Sequence, residues 1–259
     1  MTDILAVAQA AALHAGTCLK ELWGRVKVLK TKDGIRDVLT RADLEAERGL
    51  IETIHAHFPD HHILTEESGQ LPSVAPSAYR WILDPLDGTT NYLHQVPYCA
   101  VSVACVEAGE PVAAVVYAPF QDELFAARRG TGAMLNGVGI RVSAVDRLEE
   151  SLLATGFPCS PGIPLEPHLA IFAQLLRTTQ GVRRPGAAAL NLAYVACGRF
   201  DAFWGADLKP WDIAAGMLLV REAGGRVGGY RDDRDEPFPS RLIASNGHLY
   251  ELLNQMLNA

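Results

Sequence analysis

The chain has 259 residues, 49% of them hydrophobic, which is enough to bury the core of one large domain or of two domains of ordinary size. Its net charge of -7 argues against a nucleic acid or an anionic membrane as partner, because both need a basic protein surface. Five cysteines without a C-x-x-C pair predict neither a disulfide framework nor a zinc site, and they favour a reducing, cytoplasmic location.

The N-terminal region predicts two helices separated by a strand and a polar loop. Apolar residues at helical spacing indicate an amphipathic helix over residues 3–23 rather than a signal peptide. A strand at 25–28 and a polar loop at 31–37 follow. The second helix begins at Thr40, and Thr40 and Asp43 have the spacing of a capping box. Asp43 is therefore either a helix cap or a catalytic acid.

An acidic pair, Glu66 and Glu67, follows a short apolar strand at 63–64. Two adjacent acids are usually solvated on a protein surface. Their position between an apolar strand and Gly69 also suits metal ligation, and both interpretations remain open.

The next strand, residues 79–83, runs into a stretch with more polar groups than packing requires. Pro85 disfavours helical backbone at Asp84, so we expect Asp84 at the end of the strand. Gly88 permits a tight turn, and Thr89 can open a short helix whose free N–H groups face the same pocket.

Asp84 and Asp87 together indicate a cation site beside an anion site. Two carboxylates three residues apart do not comfortably stay ionised in a closed pocket unless a cation lies between them. Oxygen ligands without nearby Cys or His favour Mg²⁺ over zinc. The alternative is an Asx turn in which Asp87 and Gly88 only reverse the chain.

The rest of the chain divides into two patterns. Turn residues between short apolar segments predict an antiparallel meander. Its strands are expected at 100–106, 112–117, 123–127 and 140–143. This gives an α+β unit over residues 1–146.

Residues 147–259 alternate between strands and helices, which predicts a mixed α/β unit. Strands are expected at 152–155, 202–204 and 242–245, and helices at 165–178, 187–196, 211–223 and 250–257. Asp212 lies in the first turn of the helix at 211–223, where it either complements the helix dipole or serves as a ligand.

Four pieces of the sequence, taken in order, resemble the inositol monophosphatase family of Mg²⁺-dependent, lithium-sensitive phosphatases. They are Asp43 after Thr40, the Glu66-Glu67-Ser68 run, the Asp84-Pro-Leu-Asp87-Gly-Thr-Thr stretch and the Trp211-Asp212-x-Ala-Ala-Gly stretch. The resemblance implies a layered αβαβα fold of the sugar-phosphatase type, a small phosphorylated metabolite as substrate, and a homodimer.

The resemblance also implies a role for each site residue. Metal ligands would be Glu66, Asp84, the carbonyl of Leu86, Asp87 and Asp212. Thr89 and Asp43 would orient and activate the attacking water. Glu67 and Lys32 would support the metal and the mobile-loop region. The substrate would meet Asp87, Gly88, Thr89, Gly186, Ala187, Ala188, Gly205 and Asp212.

One position departs from the family pattern. Gly205 stands where inositol-selective members carry a Glu that holds inositol hydroxyls, seven residues before Asp212. Asp207 is the nearest acid that could replace it from a shifted loop. Arg183 and Arg184 either line the pocket or face solvent.

The expected reaction is direct in-line attack of metal-activated water on an inositol-1-phosphate-like ester. Histidinol phosphate, a sugar phosphate or a nucleotide bisphosphate are the alternative substrates. A haloacid-dehalogenase mechanism would need an Asp-x-Asp pair, and here the acids are one residue further apart. A metal-binding regulatory protein without turnover is the alternative from another class.

Overall fold

The structure is a computed structural model that describes residues 3–31, 38–72, 74–233 and 236–258. The predicted polar loop at 31–37, including Lys32, lies almost wholly outside these ranges. No helix in the described part of the chain is both long and apolar enough to cross a membrane. All five cysteines are free thiols.

The first half contains three helices and ten strands within the described residues. In chain order they are α1 (Ile4–Leu22), β1 (Val28–Thr31), β2 (Val38–Thr40), α2 (Arg41–His57), β3 (His62–Thr65), β4 (Gly69–Gln70), β5 (Tyr79–Asp87), α3 (Thr89–Leu93), β6 (Ala100–Glu107), β7 (Glu110–Ala118), β8 (Glu123–Arg128), β9 (Ala133–Leu135) and β10 (Val138–Ile140).

The second half contains four α-helices and five strands over the same described ranges. They are β11 (Leu152–Gly156), α4 (Glu166–Thr178), β12 (Gly181–Arg183), α5 (Ala188–Ala196), β13 (Ala202–Gly205), α6 (Pro210–Glu222), β14 (Arg226–Gly229), β15 (Leu242–Ser245) and α7 (Tyr250–Asn258).

Two large sheets carry the fold. Eight strands form one sheet in the order β10-β9-β8-β7-β6-β5-β3-β4, in which only the β3–β5 pair is parallel. Five strands form the other in the order β12-β11-β13-β15-β14, with parallel and antiparallel pairs. The predicted antiparallel sheet and the mixed sheet are both confirmed.

The helices lie in three layers around these sheets. Helices α1 and α2 pack on one face of the eight-stranded sheet, and their small residues, such as Ala8 and Ala46, are fully buried there. Helices α5 and α6 lie between the two sheets, and α4 and α7 cover the outer face of the five-stranded sheet. This is the layered αβαβα arrangement. The largest core cluster joins residues of both halves, so a boundary at 146 remains a prediction.

Three local predictions were wrong. The strand expected at 25–28 begins only at Val28, and the one expected at 140–143 ends at Ile140. The strand there pairs with β9 across Asn136 and Gly137, whose positive φ angles of 49° and 79° make the hairpin turn. Strands β12 and β14 were not predicted, because three or four residues rich in Gly and Arg show no apolar alternation.

The third correction concerns the end of β5. Asp84 pairs with Ser102 and Asp87 pairs with Ala100, so β5 continues to Asp87 with one extra residue. This is a β-bulge, and Pro85, which has no N–H for the ladder, lies inside it. Asp84 therefore lies within the strand rather than at its end.

Candidate active site

A cavity of about 860 Å³ opens between the two halves of the chain. It is lined by α3, by the first turns of α5 and α6, and by the bulged end of β5. Ten of the residues predicted for the site line it. They are Glu66, Asp84, Leu86, Asp87, Gly88, Thr89, Gly186, Ala187, Ala188 and Asp212.

The bulge of β5 and the start of α3 set the geometry of the first half of the site. Gly88 caps α3 with a φ of 93°, a left-handed conformation that residues with a side chain rarely adopt. A Cβ at this position would also lie 3.0 Å from the carbonyl oxygen of Tyr98. The sequence therefore needs glycine here for two independent reasons.

The contacts of Asp43 suit both of the roles that the sequence left open. Its Oδ2 accepts hydrogen bonds from the N–H and the hydroxyl of Thr40, at 2.8 and 2.6 Å, which completes the capping box of α2. Its Oδ1 lies 3.1 Å from the Oγ1 of Thr89, which donates to it. The same hydroxyl lies 3.1 Å from the carbonyl oxygen of Leu86. Burial raises the pKa of Asp43.

Asp84 is the most enclosed acid of the site, with 1% of its surface exposed. Its Oδ1 accepts the N–H of Leu86 at 3.0 Å, and its carboxyl group shares a hydrogen bond with Glu66. Burial raises the pKa of Asp84 well above its usual value, and the charges of Glu66, Asp87 and Asp212 raise it further.

Asp87 and Asp212 are held by helix N-termini. The carboxylate of Asp87 accepts the N–H groups of Ala188 and Ala189 at 3.0 and 2.8 Å, at the start of α5. Burial raises the pKa of Asp87 to about 7, although these donors oppose the shift. Asp212 accepts the N–H of Lys209 at 2.7 Å, and burial raises its pKa well above the usual value.

The donor set of the cavity suits a hard divalent cation. Four carboxylates from both halves share one partly closed space, and they cannot all be ionised there without compensating positive charge. In the described ranges, no three His, Cys, Asp or Glu side chains are already arranged to hold a metal ion. The acids instead hydrogen-bond to Leu86, to Lys209, to the start of α5 and to one another.

The predicted substrate wall lies at the start of α5. Asn91 fixes it, because its Nδ2 donates to the carbonyl oxygens of Tyr98 and Pro185, at 2.7 and 2.8 Å. Gly186 follows with a φ of 93°, and a Cβ there would lie 3.2 Å from the same amide nitrogen. A side chain at residue 186 would therefore crowd Asn91 and would have to adopt a left-handed backbone conformation.

Gly205, the position that departs from the family pattern, and Asp207, the nearest acid, lie in different surroundings. Gly205 is buried in β13, where a Cβ would lie 3.0 Å from both Leu208 and Phe203 side chains. Asp207 lines the cavity, but its Oδ2 accepts the N–H groups of Cys159 and Ser160 at 3.1 and 2.8 Å. Its Oδ1 accepts a hydrogen bond from the Lys209 ammonium group at 3.0 Å. Asp207 therefore fixes the loop of residues 159 and 160 at the cavity, and both of its oxygens already have donors.

Glu67 does not line the cavity, unlike its neighbour Glu66. Glu67 is half-buried on the turn after β3, and Lys32 lies outside the described residues. Of the two arginines, Arg184 lines the cavity, whereas Arg183 is exposed on β12.

The sequence reasoning missed Glu47. This side chain is 4% exposed, lies one helical turn after Asp43, and accepts hydrogen bonds from the turn that carries Glu66. A spacing of four residues between two acids on the apolar side of a predicted helix was the available signal.

Known proteins resemble the chain over its whole length. The model of the inositol monophosphatase family matches residues 1–259. An inositol-1-monophosphatase of Synechocystis is 43% identical over 255 residues, which cover 98% of this chain and 88% of that protein. The Nus factor SuhB of Escherichia coli is 40% identical over 247 residues, or 95% of this chain and 92% of the relative. The crystal structure of the extragenic suppressor protein suhB from Bartonella henselae has 41% sequence identity and a TM-score of 0.93, covering 99% of this chain and 98% of that one. The chain therefore belongs to the inositol monophosphatase family, and it is a phosphatase that acts on phosphoric monoesters.

Proposed function

We propose that the protein catalyses the Mg²⁺-dependent hydrolysis of a small phosphomonoester similar to inositol-1-phosphate, by direct attack of water. The observation that carries this proposal is the meeting of two kinds of group in one cavity. Acids from both halves of the chain face the same space as a hydroxyl that is hydrogen-bonded to a buried carboxyl group. A purely structural ion site would not need such a hydroxyl.

The size of the required rate acceleration favours a mechanism in which bound metal contributes more than the general base does. Hydrolysis of a phosphate monoester is among the slowest uncatalysed reactions and requires acceleration of up to ~10²¹. A general base contributes only about 10²–10⁴. Most of the barrier must therefore be lowered by charge neutralisation and by positioning of the reacting atoms.

Glu66, Asp84, the carbonyl of Leu86, Asp87 and Asp212 are the groups that would hold the metal. Bound divalent cations would neutralise the phosphate and lower the pKa of an attached water. Oxygen-only donors are the reason for naming Mg²⁺, and the family as a whole is generally metal-dependent.

Thr89 and Asp43 would direct the water. The Thr89 hydroxyl can accept a proton from water as it passes its own to Asp43 Oδ1, 3.1 Å away. Burial makes Asp43 a stronger base than an exposed aspartate, and its Oδ2 is fixed by Thr40. Gly88 and Thr89, at the first turn of α3, would place backbone N–H groups beside the phosphate.

The substrate is proposed to lie against Gly186, Ala187 and Ala188, with its phosphate towards Thr89. These residues have small or no side chains, so a ring-sized leaving group can approach the backbone. The name of the Synechocystis relative supports an inositol phosphate. Because Gly205 is buried and Asp207 is engaged with Cys159 and Ser160, other small esters remain the alternative.

The test is phosphate release from a panel of phosphomonoesters, measured with Mg²⁺, with a chelator and with added lithium. We expect release with Mg²⁺, none with chelator, and inhibition by lithium. The panel should contain inositol-1-phosphate, histidinol phosphate, sugar phosphates and nucleotide bisphosphates. Trapping of an aspartyl-phosphate after an acid quench would instead support a covalent mechanism and remove the one proposed.

The name of the Escherichia coli relative, Nus factor SuhB, favours a regulatory role as the second candidate function. Absence of phosphate release from the whole panel would favour that role. The net charge of -7 still predicts that any such partner is not nucleic acid bound directly. A homodimer in the cytoplasm also remains a prediction, which light scattering and fractionation would test.

A further inference from the structure

Helix α2 carries two buried acids next to the active site, and the proposed mechanism uses only the first of them. Asp43 and Glu47 lie one turn apart on the same face of the helix and are 0% and 4% exposed. Asp43 contacts Thr89 on α3. Glu47 points to a different part of the site, the turn after β3.

Glu47 accepts four hydrogen bonds from this turn. Its Oε1 accepts the hydroxyl of Thr65 at 2.7 Å and the N–H groups of Glu67 and Ser68 at 3.2 and 3.1 Å. Its Oε2 accepts the hydroxyl of Ser68 at 2.7 Å. Glu66 lies between these donors and makes none of the four bonds itself.

These four hydrogen bonds restrict the movement of the turn. On the other side, the N–H of Glu66 donates to the carbonyl oxygen of Leu83 at 3.2 Å, in the strand that carries Asp84. Glu66 is thus fixed from both sides, and its carboxyl group meets that of Asp84. Outer residues that orient metal ligands affect metal affinity by roughly 10–100-fold when they are changed.

We infer that Glu47 is a positioning residue, which holds the turn of residues 65–68 so that Glu66 can serve as a metal ligand. The inference rests on the proposed function, because it takes Glu66 to bind Mg²⁺. The hydrogen bonds, rather than the charge of Glu47, carry the effect. A glutamine can reproduce them, since its oxygen can take the place of Oε1 and its amide can donate to the Ser68 hydroxyl, which then turns round to accept.

The test compares full-length wild type with Glu47→Ala and Glu47→Gln. The concentration of Mg²⁺ that gives half-maximal phosphate release is measured first. The rise in Tm that Mg²⁺ produces in chelator-treated protein without substrate is measured second. We expect Glu47→Ala to raise the half-maximal concentration roughly 10–100-fold, with kcat at saturating Mg²⁺ largely retained. Glu47→Gln should lie closer to wild type than to the alanine variant in both measurements.

Asp201→Ala is the matched control. Asp201 is also buried, at 6% exposure, and accepts hydrogen bonds from the Ser143 hydroxyl and the Leu152 N–H, but it lies outside the cavity lining. Its removal should lower the Tm without changing the half-maximal Mg²⁺ concentration. If Glu47→Ala does not fold, Thr65→Val removes one of the four donors while Glu47 stays, and a higher half-maximal concentration is again expected.

Three results would overturn the inference. Unchanged Mg²⁺ dependence in Glu47→Ala, or in Thr65→Val where that variant has to be used, would show that the turn does not need Glu47. An equal shift in Asp201→Ala would indicate general loosening of the fold. A glutamine variant as impaired as the alanine variant would assign the effect to charge. Failure of the proposed function would be recognised separately, because phosphate release by the wild-type protein would then not depend on Mg²⁺. That result would refute both the proposed function and the inference about Glu47.

Discussion

Replacement of Asp84 by asparagine should stabilise the metal-free protein while abolishing its activity. The asparagine side chain keeps the oxygen that accepts the Leu86 N–H at 3.0 Å, and its amide can donate to Glu66. The substitution therefore removes one negative charge from a cluster of four and leaves no polar atom without a partner. Asp84 is 1% exposed, so solvent screens this charge very little.

The magnitude follows from the contact with Glu66. Two like charges about 4 Å apart repel by roughly 4 kcal/mol at the effective dielectric constant of ~20 that describes most protein sites. Partial protonation of the wild-type pair relieves some of this repulsion, so we expect a gain of about 2 kcal/mol. For a chain of this size, that gain raises the Tm by roughly 4–8 °C.

The gain should depend on pH with a definite sign. The pKa of Asp84 is raised in the folded protein, whereas the unfolded chain keeps the ordinary value of 3.8. As the pH rises above about 3.8, Asp84 ionises in the unfolded chain before it does so in the folded protein, so the wild type loses stability. The loss is complete once the pH exceeds the raised pKa of Asp84 in the folded protein. The advantage of Asp84→Asn should be small near pH ~4 and grow as the pH rises.

Thermal unfolding with chelator and with Mg²⁺ gives the readout, beside a phosphate-release assay. Mg²⁺ should raise the Tm of wild type and leave that of Asp84→Asn nearly unchanged. A metal-free asparagine variant that is less stable than wild type at neutral pH would refute the argument that these acids repel one another.

Three further changes probe other parts of the site. Thr89→Val should lower kcat by about 10²–10⁴ with little change in Tm, because it removes the hydroxyl next to Asp43. Thr89→Ser should retain most activity. Equal loss in both variants would exclude proton transfer from Thr89 to Asp43. Gly88→Ala should lower the free energy of unfolding by roughly 1–2 kcal/mol, measured by urea titration, because residue 88 has a φ of 93°; an unchanged midpoint would contradict this. Asp207→Ala should change the ratio of kcat/KM values between esters, because it frees the loop of Cys159 and Ser160, which lines the cavity, and it should leave the Mg²⁺ dependence unchanged. A constant ratio would show that this loop does not select the substrate.

The sequence predicted best the features that depend on local patterns. Helix α2 begins at the predicted cap because Thr40 and Asp43 satisfy each other within one turn. Most central strands were also placed correctly, because their apolar residues are continuous or alternate. Asp84 and Asp87 were identified because packing does not explain two carboxylates directly after an apolar run, whereas Glu66 and Asp212 were assigned through the family resemblance.

Features that depend on contacts between distant segments could not be predicted. The bulge in β5 appears only when β6 is placed beside it, because Asp84 and Asp87 then pair with residues two apart. Asp207 reads as a free acid in the sequence, and only folding brings the N–H groups of residues 159 and 160 to it. The spacing of Glu47 from Asp43 indicated a buried acid, but not its role, because its partners lie about 20 residues further along the chain.

The position of bound metal tests the central claim most directly. Mn²⁺ takes the same carboxylate ligands as Mg²⁺ and gives an anomalous X-ray signal, so crystals soaked with it would locate the ions. We predict anomalous peaks within coordination distance of carboxylate oxygens of Glu66, Asp84, Asp87 and Asp212, beside the Thr89 hydroxyl. Fully occupied Mn²⁺ elsewhere on the protein, with none among these four acids, would contradict the account.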